Sequence, residues 1–259
     1  MTIHTGLVSV TFRKLDPAAI IGLAQAAELQ GIEWSAEPHV PAGDLATAAA
    51  VYRQTVAAGL TVAAYGSYYR IGCQPNGPEQ FQAVLDSAVA LHAPTIRVWA
   101  GDRPSATADE AWWDRVVTES RQIADCAAAA GITLAYEYHR NTLTDRNEAA
   151  LRLLRQVNHP NVRSYWQPPI PDDTTARATG LAQIKPFLTH LHVFQWEGHS
   201  TTRLPLANGV ADWLQYFKIA ADATDRYALL EFVMDDAPEQ FLQDARTLKT
   251  LVSQINQVD

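Results

Sequence analysis

Four apolar runs in the second half of the chain each carry, at or near their end, a side chain able to bind a cation or move a proton. They are Glu137 in the run Ile132–His139, Gln167 after Val162–Trp166, His192 in Leu188–Phe194 and Glu231 in Tyr227–Val233. A carboxylate inside an apolar run is costly unless it is paired or holds a cation. Two carboxylates converging with an imidazole suggest a divalent cation. Oxygen ligands with one histidine favour Mn2+ or Mg2+, with Zn2+ and Co2+ as further candidates. The competing use is internal ion pairing: Arg97 and Arg163 fall at inward positions of their own runs and could neutralise Glu33, Glu137 or Glu231.

What must position these residues is a repeated strand and helix. Leu7–Phe12 reads as a first strand, and Asp16-Pro17 caps a helix whose apolar stripe is Ile20, Leu23, Ala24 and Ala27. Gly31, Gly59 and Gly131 close helices immediately before apolar strand runs at Ile32–Ser35, Leu60–Tyr65 and Ile132–Tyr138. The alternation continues through Thr95–Trp99, Val162–Trp166, Leu188–Phe194 and Tyr227–Val233 to a last helix over Pro238–Gln257. Eight strand–helix pairs at a spacing of about 30 residues, with no break in composition, predict a closed parallel (β/α)8 barrel. The 259 residues are one domain on this reading, since such barrels take about 250 residues.

A barrel strand points alternate residues into the lumen. In the fifth strand, Leu134, Tyr136 and Tyr138 share the outer face, leaving Ala135, Glu137 and His139 inward. The same count turns Tyr165 and Gln167 inward in the sixth strand, and His190 and His192 in the seventh. Strands five to eight therefore deliver Glu137, Gln167, His192 and Glu231 to one end of the barrel.

Composition narrows the partners. A formal charge of −8 and a pI near 5.4 come with no basic stripe, which argues against nucleic acid. No run approaches the roughly 20 apolar residues of a membrane span, and the N-terminus lacks a secretory pattern. The two cysteines, Cys73 and Cys126, have no metal-type spacing and read as free thiols of a cytoplasmic protein.

The segments GIEWSAEPHV (Gly31–Val40), YEYHRNTLTD (Tyr136–Asp145), YWQPP (Tyr165–Pro169), HLHVFQW (His190–Trp196) and LLEFV (Leu229–Val233) together resemble the xylose-isomerase-like TIM barrels. That superfamily includes sugar-phosphate isomerases and epimerases and endonuclease-IV-type barrels. The resemblance runs over essentially the whole chain in order. It implies a divalent metal held by a Glu, an Asp, a His and a Glu from strands five to eight, of which Glu137, His192 and Glu231 match three. The usual Asp-Pro-x-His reads Gln167-Pro168-Pro169-Ile170 here. A glutamine carbonyl still ligates a hard cation but brings no charge, and Ile170 replaces a substrate-contacting histidine.

The resemblance further implies that Glu137 and Glu231 are the acid and base, acting from opposite faces of the substrate. Moving a proton beside a carbonyl needs both, together with stabilisation of the enediolate. His139, Glu37, His39, Tyr68 and Arg203 are candidate contacts to a small carbohydrate-like substrate. The leading expectation is a metal-dependent isomerase or epimerase of a sugar, sugar phosphate or polyol-ketone. A lyase or dehydratase on a keto-polyol uses the same enolate chemistry, and a metal-poor, non-catalytic binding barrel is the third reading. Endonuclease-type cleavage would need more His and Asp ligands than the chain shows. Barrels of this type often pair, so a homodimer is expected.

Overall fold

The computed structural model describes residues 2–170, 172–198 and 200–257. Eight parallel strands close into a barrel: β1 (Ile3–Val8), β2 (Gly31–Ser35), β3 (Thr61–Arg70), β4 (Thr95–Trp99), β5 (Thr133–Tyr136), β6 (Val162–Trp166), β7 (Leu188–Val193) and β10 (Arg226–Leu230). The last strand pairs with the first, Ile3 opposite Arg226 through Leu7 opposite Leu230. Between β7 and β10 lies a small antiparallel hairpin of β8 (Gln195–Trp196) and β9 (Arg203–Leu204). Eight helices cover the barrel: α1 (Pro17–Ala26), α2 (Leu45–Ala57), α3 (Pro78–Ala90), α4 (Glu110–Ala129), α5 (Asn147–Val157), α6 (Thr174–Ile184), α7 (Val210–Ala220) and α8 (Pro238–Asn256).

Local chemistry sets these boundaries. Asp16, Asp44, Asp109 and Asp173 each accept a hydrogen bond from the backbone N–H three residues on, satisfying donors that the first helical turn leaves unpaired. Gly59 and Gly131 precede strands as expected, whereas Gly31 is itself the first residue of β2. Two layers of apolar side chains then form. The larger lies between strands and helices, and the smaller, made of Val8, Val10, Ala63, Ala64, Ala135, Tyr165 and Leu229, fills the lumen. No helix among the described residues is long and apolar enough to cross a membrane.

The first strand differs from expectation. It begins at Ile3 and ends at Val8, and Ser9–Phe12 forms a 3-10 turn. All four turn residues are buried, Val10 and Phe12 as apolar groups and Ser9 and Thr11 as polar ones, so burial here did not mark a strand. Strands five and eight stop earlier than their apolar runs, at Tyr136 and Leu230. The next residues remain tied to the sheet: Glu137 N–H donates to the Val98 carbonyl and Glu231 N–H to that of Val193, each at 3.0 Å.

Candidate metal centre and active site

Glu137 and Glu231 thus stand one residue past their strands, on backbone still held by the neighbouring strand. His192 comes from within β7 and Gln167 follows β6. One ligand atom each from Glu137, His192 and Glu231 lies within 4.8 Å of the others. The Nδ1 edge of His192 faces Gln167 Oε1 at 3.1 Å, Glu231 Oε2 at 3.4 Å and Glu137 Oε1 at 3.7 Å. Gln167 donates its Nε2 to the Tyr138 carbonyl at 2.5 Å, which turns its carbonyl oxygen toward the cluster. The four residues expected at one end of the barrel are together there.

Beneath them lies a buried ion pair. Glu33 Oε1 accepts from Arg97 Nε at 2.7 Å, and Glu33 Oε2 lies 3.4 Å from His192 Nε2. Arg97 Nη1 reaches Glu137 Oε2, the same oxygen that accepts from Trp99 Nε1. Glu33 and His192 are fully buried, and Arg97, Glu137 and Glu231 nearly so. Arg97 therefore does neutralise acidic neighbours, whereas the half-buried Arg163 donates to the Val162 carbonyl.

Burial opposes charge on all of these groups, and the partners decide the outcome. Burial raises the pKa of Glu33, but Arg97 and His192 outweigh it and hold the carboxyl well below the usual range. Burial likewise disfavours a charged His192, yet Glu231 and Glu33 push its pKa up to about 10. His190, buried lower in the lumen, goes the other way: burial brings it down to about 4.

The donor set fits a divalent cation on charge as well as distance. Glu33, Glu137 and Glu231 contribute three negative charges and Arg97 one positive, so two negative charges remain inside the protein. With metal absent, a protonated His192 offsets one of them. A dication with neutral His192 would balance both, and Glu137, His192, Glu231 and the Gln167 carbonyl are the residues that would hold it.

Above the cluster opens a cavity of about 840 Å3, large enough for a small metabolite. Trp99, Tyr68, Phe194, Trp196 and Phe232 give it aromatic walls. Tyr68 and Phe232 have φ of 57° and 54°, a left-handed conformation that is costly for bulky residues and clusters at functional sites. His139 stacks on Trp99 with ring centroids 4.4 Å apart. Its Nδ1 lies 2.7 Å from the Arg140 carbonyl, an acceptor, so that nitrogen carries a proton and Nε2 is left toward the cavity as the acceptor of the neutral ring.

The other sequence candidates divide. Tyr68 and Arg203 line the cavity. Arg203, however, is already engaged, with Asp236, with the Val233 carbonyl at 3.2 Å and over the Phe232 ring. Glu37 is exposed beside a cis peptide bond to Pro38, outside the cavity lining. His39 is buried away from the cavity, bonded to Ser9 Oγ at 2.9 Å and edge-on to Trp34. Sequence reasoning treated Glu33 and Arg97 only as ballast and gave Trp99 no polar role. The signal for Glu33 was a lone carboxylate in Gly-Ile-Glu-Trp-Ser, the same signature that singled out Glu231.

Comparison with known proteins agrees with this architecture. A 3-dehydroshikimate dehydratase of Bacillus anthracis is 27% identical over 176 residues, 59% of this chain and 61% of that protein. The chain thus matches less than two thirds of that relative's length. Among solved structures, a probable 3-DHS dehydratase from Bacillus anthracis superposes with a TM-score of 0.80 at 19% identity, covering 96% of this chain and 99% of the other. An L-ribulose 3-epimerase gives 0.74 at 13% identity, covering 99% and 96%. A Mycobacterium smegmatis barrel in complex with magnesium gives 0.73 at 12% identity, covering 98% of each. The xylose isomerase-like TIM barrel model matches residues 21–251, and with a closed eight-stranded barrel around that span the chain belongs to this family.

Proposed function

We propose that the chain is a divalent-metal-dependent lyase that eliminates water from a keto-polyol bearing an acidic group. The observation that carries this reading is the buried cluster Glu33, Glu137, Glu231, Arg97 and His192, three carboxylates against a single arginine at the floor of a metabolite-sized cavity. A cation held there supplies polarisation of the substrate carbonyl, which acidifies the adjacent C–H.

The expected isomerase or epimerase chemistry asks Glu137 and Glu231 to exchange a proton as equivalent partners. Their surroundings differ. Glu137 Oε2 already accepts from Arg97 and Trp99, while Glu231 has no arginine or tryptophan donor among the described contacts. Among the described residues beside the cluster, Glu231 and His139 Nε2 offer acceptor atoms with no arginine or tryptophan donor on them. Unlike partners suit elimination: one removes the proton beside the carbonyl, its electron pair passes through the enolate, and the β-hydroxyl leaves as water after protonation by the other. A dehydratase among the relatives supports the same chemistry.

The acidic group is inferred from the rim. Arg13, Arg140 and Arg146 line the cavity, and none of the three forms an ion pair among the described residues. Arginine binds carboxylates bidentately, so three such groups at one rim favour an acidic substrate over a neutral ketose. Mn2+-loaded protein incubated in D2O with 3-dehydroshikimate and with neutral ketohexoses tests the proposal. Loss of water from the keto acid, with a new conjugated absorbance, is the expected result. Deuterium exchange or epimer formation in ketohexoses, with the keto acid unchanged, would establish the epimerase reading instead.

A further inference from the structure

Glu33 does not line the cavity, yet it is fully buried among the groups that do the binding. Its two oxygens have separate partners, Arg97 Nε at 2.7 Å and His192 Nε2 at 3.4 Å. The opposite edge of the His192 ring, Nδ1, faces all three oxygen donors of the cluster. Tyr165 packs against the same ring, with centroids 5.0 Å apart. The imidazole is therefore held with its two nitrogens in different surroundings, one acidic and remote from the cavity, the other among the ligand oxygens.

Gly66 on β3 is an independent sign that this arrangement is built. A Cβ at that position would lie 2.5 Å from Arg97 Nη2 and 2.9 Å from Glu33 Oε1. An added methyl group there must push aside Arg97 Nη2 and Glu33 Oε1, the side-chain ends through which the guanidinium meets Glu33 and Glu137.

Building on the metal-centre reading above, we infer that Glu33 is a positioning residue, which presents His192 Nδ1 to the cation and steers Arg97 onto Glu137. A carboxylate on the far nitrogen of a ligating histidine fixes the ring and its tautomer. A purely structural Glu33 would neutralise Arg97 and affect stability alone. A positioning Glu33 also sets metal affinity.

Metal-free protein titrated with Mn2+, following the free-ion electron paramagnetic resonance signal, separates the two. Glu33→Gln is expected to bind Mn2+ about 10- to 100-fold more weakly, with circular dichroism unchanged. Gly66→Ala keeps every ligand and displaces Arg97, and it should weaken binding in the same direction. In Zn2+-loaded, 15N-histidine-labelled wild type, His192 should retain its proton on Nε2, a result that does not depend on whether Glu33→Gln folds. A metal-bound Nε2, or unchanged Mn2+ affinity in both variants, overturns the role of Glu33. Wild type that takes up no Mn2+ removes the metal-centre reading itself.

Discussion

Glu137 and Glu231 occupy equivalent places in their strands, yet their neighbours make them different reagents. Glu137 has one oxygen saturated by Arg97 and Trp99, while Glu231 meets His192 and the cavity. Glu231→Gln is therefore expected to slow α-proton removal by about 10²- to 10⁴-fold, the usual scale of general acid–base catalysis. Deuterium wash-in under saturating Mn2+ reads this directly, and undiminished exchange would remove Glu231 as the base. His39 shows how a histidine can matter without touching substrate. Burial lowers its pKa below the ordinary value, despite backbone contacts at Leu15 and Phe12 that pull the other way. The folded state thus prefers neutral His39, so its contribution is present above the ordinary histidine pKa. It is lost as pH falls through that range, because the unfolded chain takes the proton first. Thermal melts between neutral and mildly acidic pH should show a shallower acid loss in His39→Gln than in wild type; identical slopes would contradict this.

At the scale of elements, the order of strands and helices was legible because each strand run is short, apolar and bounded by glycine or a capping aspartate. Alternation along β5 to β7 also placed Glu137, Gln167 and His192 correctly, since a period of two is strict in a ladder. What escaped was where the period stops. Ser9–Phe12 alternates polar and apolar residues as a strand would but serves as a buried turn, and β8–β9 is too short to leave a pattern. Glu33 was visible but ambiguous, because an inward carboxylate on β2 looks the same whether it orients a ligand or offsets an arginine. Neither alternation nor composition shows that Gly6 and Gly31 let β1 and β2 approach. A Cβ on Gly6 would lie 2.6 Å from Leu229 Cδ2 and 2.7 Å from the Gly31 carbonyl oxygen. Backbone cannot yield as a side chain does, so Gly6→Ala is expected to cost about 1–3 kcal/mol or more. Differential scanning calorimetry should register this as a drop of several degrees in Tm, and an unchanged Tm would show that the two strands tolerate separation.

Across the whole molecule, charge is distributed against its average. The chain carries a net −8, yet its cavity rim presents Arg13, Arg140 and Arg146, with no ion pair among the described residues, and its floor groups acidic side chains that could hold a cation. An anionic substrate approaching such a protein needs that local rim. Arg140→Gln should accordingly raise KM for a keto acid more than it lowers kcat, a split that steady-state kinetics resolves. The floor bears on stability as well as chemistry, because the barrel closes over mutually repelling carboxylates contributed by β2, β5 and β10 or the residues just past them. Any ion that binds only the folded barrel stabilises it by mass action, by about 2.7 kcal/mol at a concentration one hundred times Kd. For a chain of this size that corresponds to a rise in Tm of roughly 5–10 °C. Mn2+ should produce such a shift, EDTA should reverse it, and His192→Ala should abolish it while leaving the metal-free melt cooperative. A wild-type Tm indifferent to Mn2+, Mg2+, Zn2+ and Co2+ would mean that the acidic cluster holds none of these ions, and the elimination chemistry would lose its electrophile.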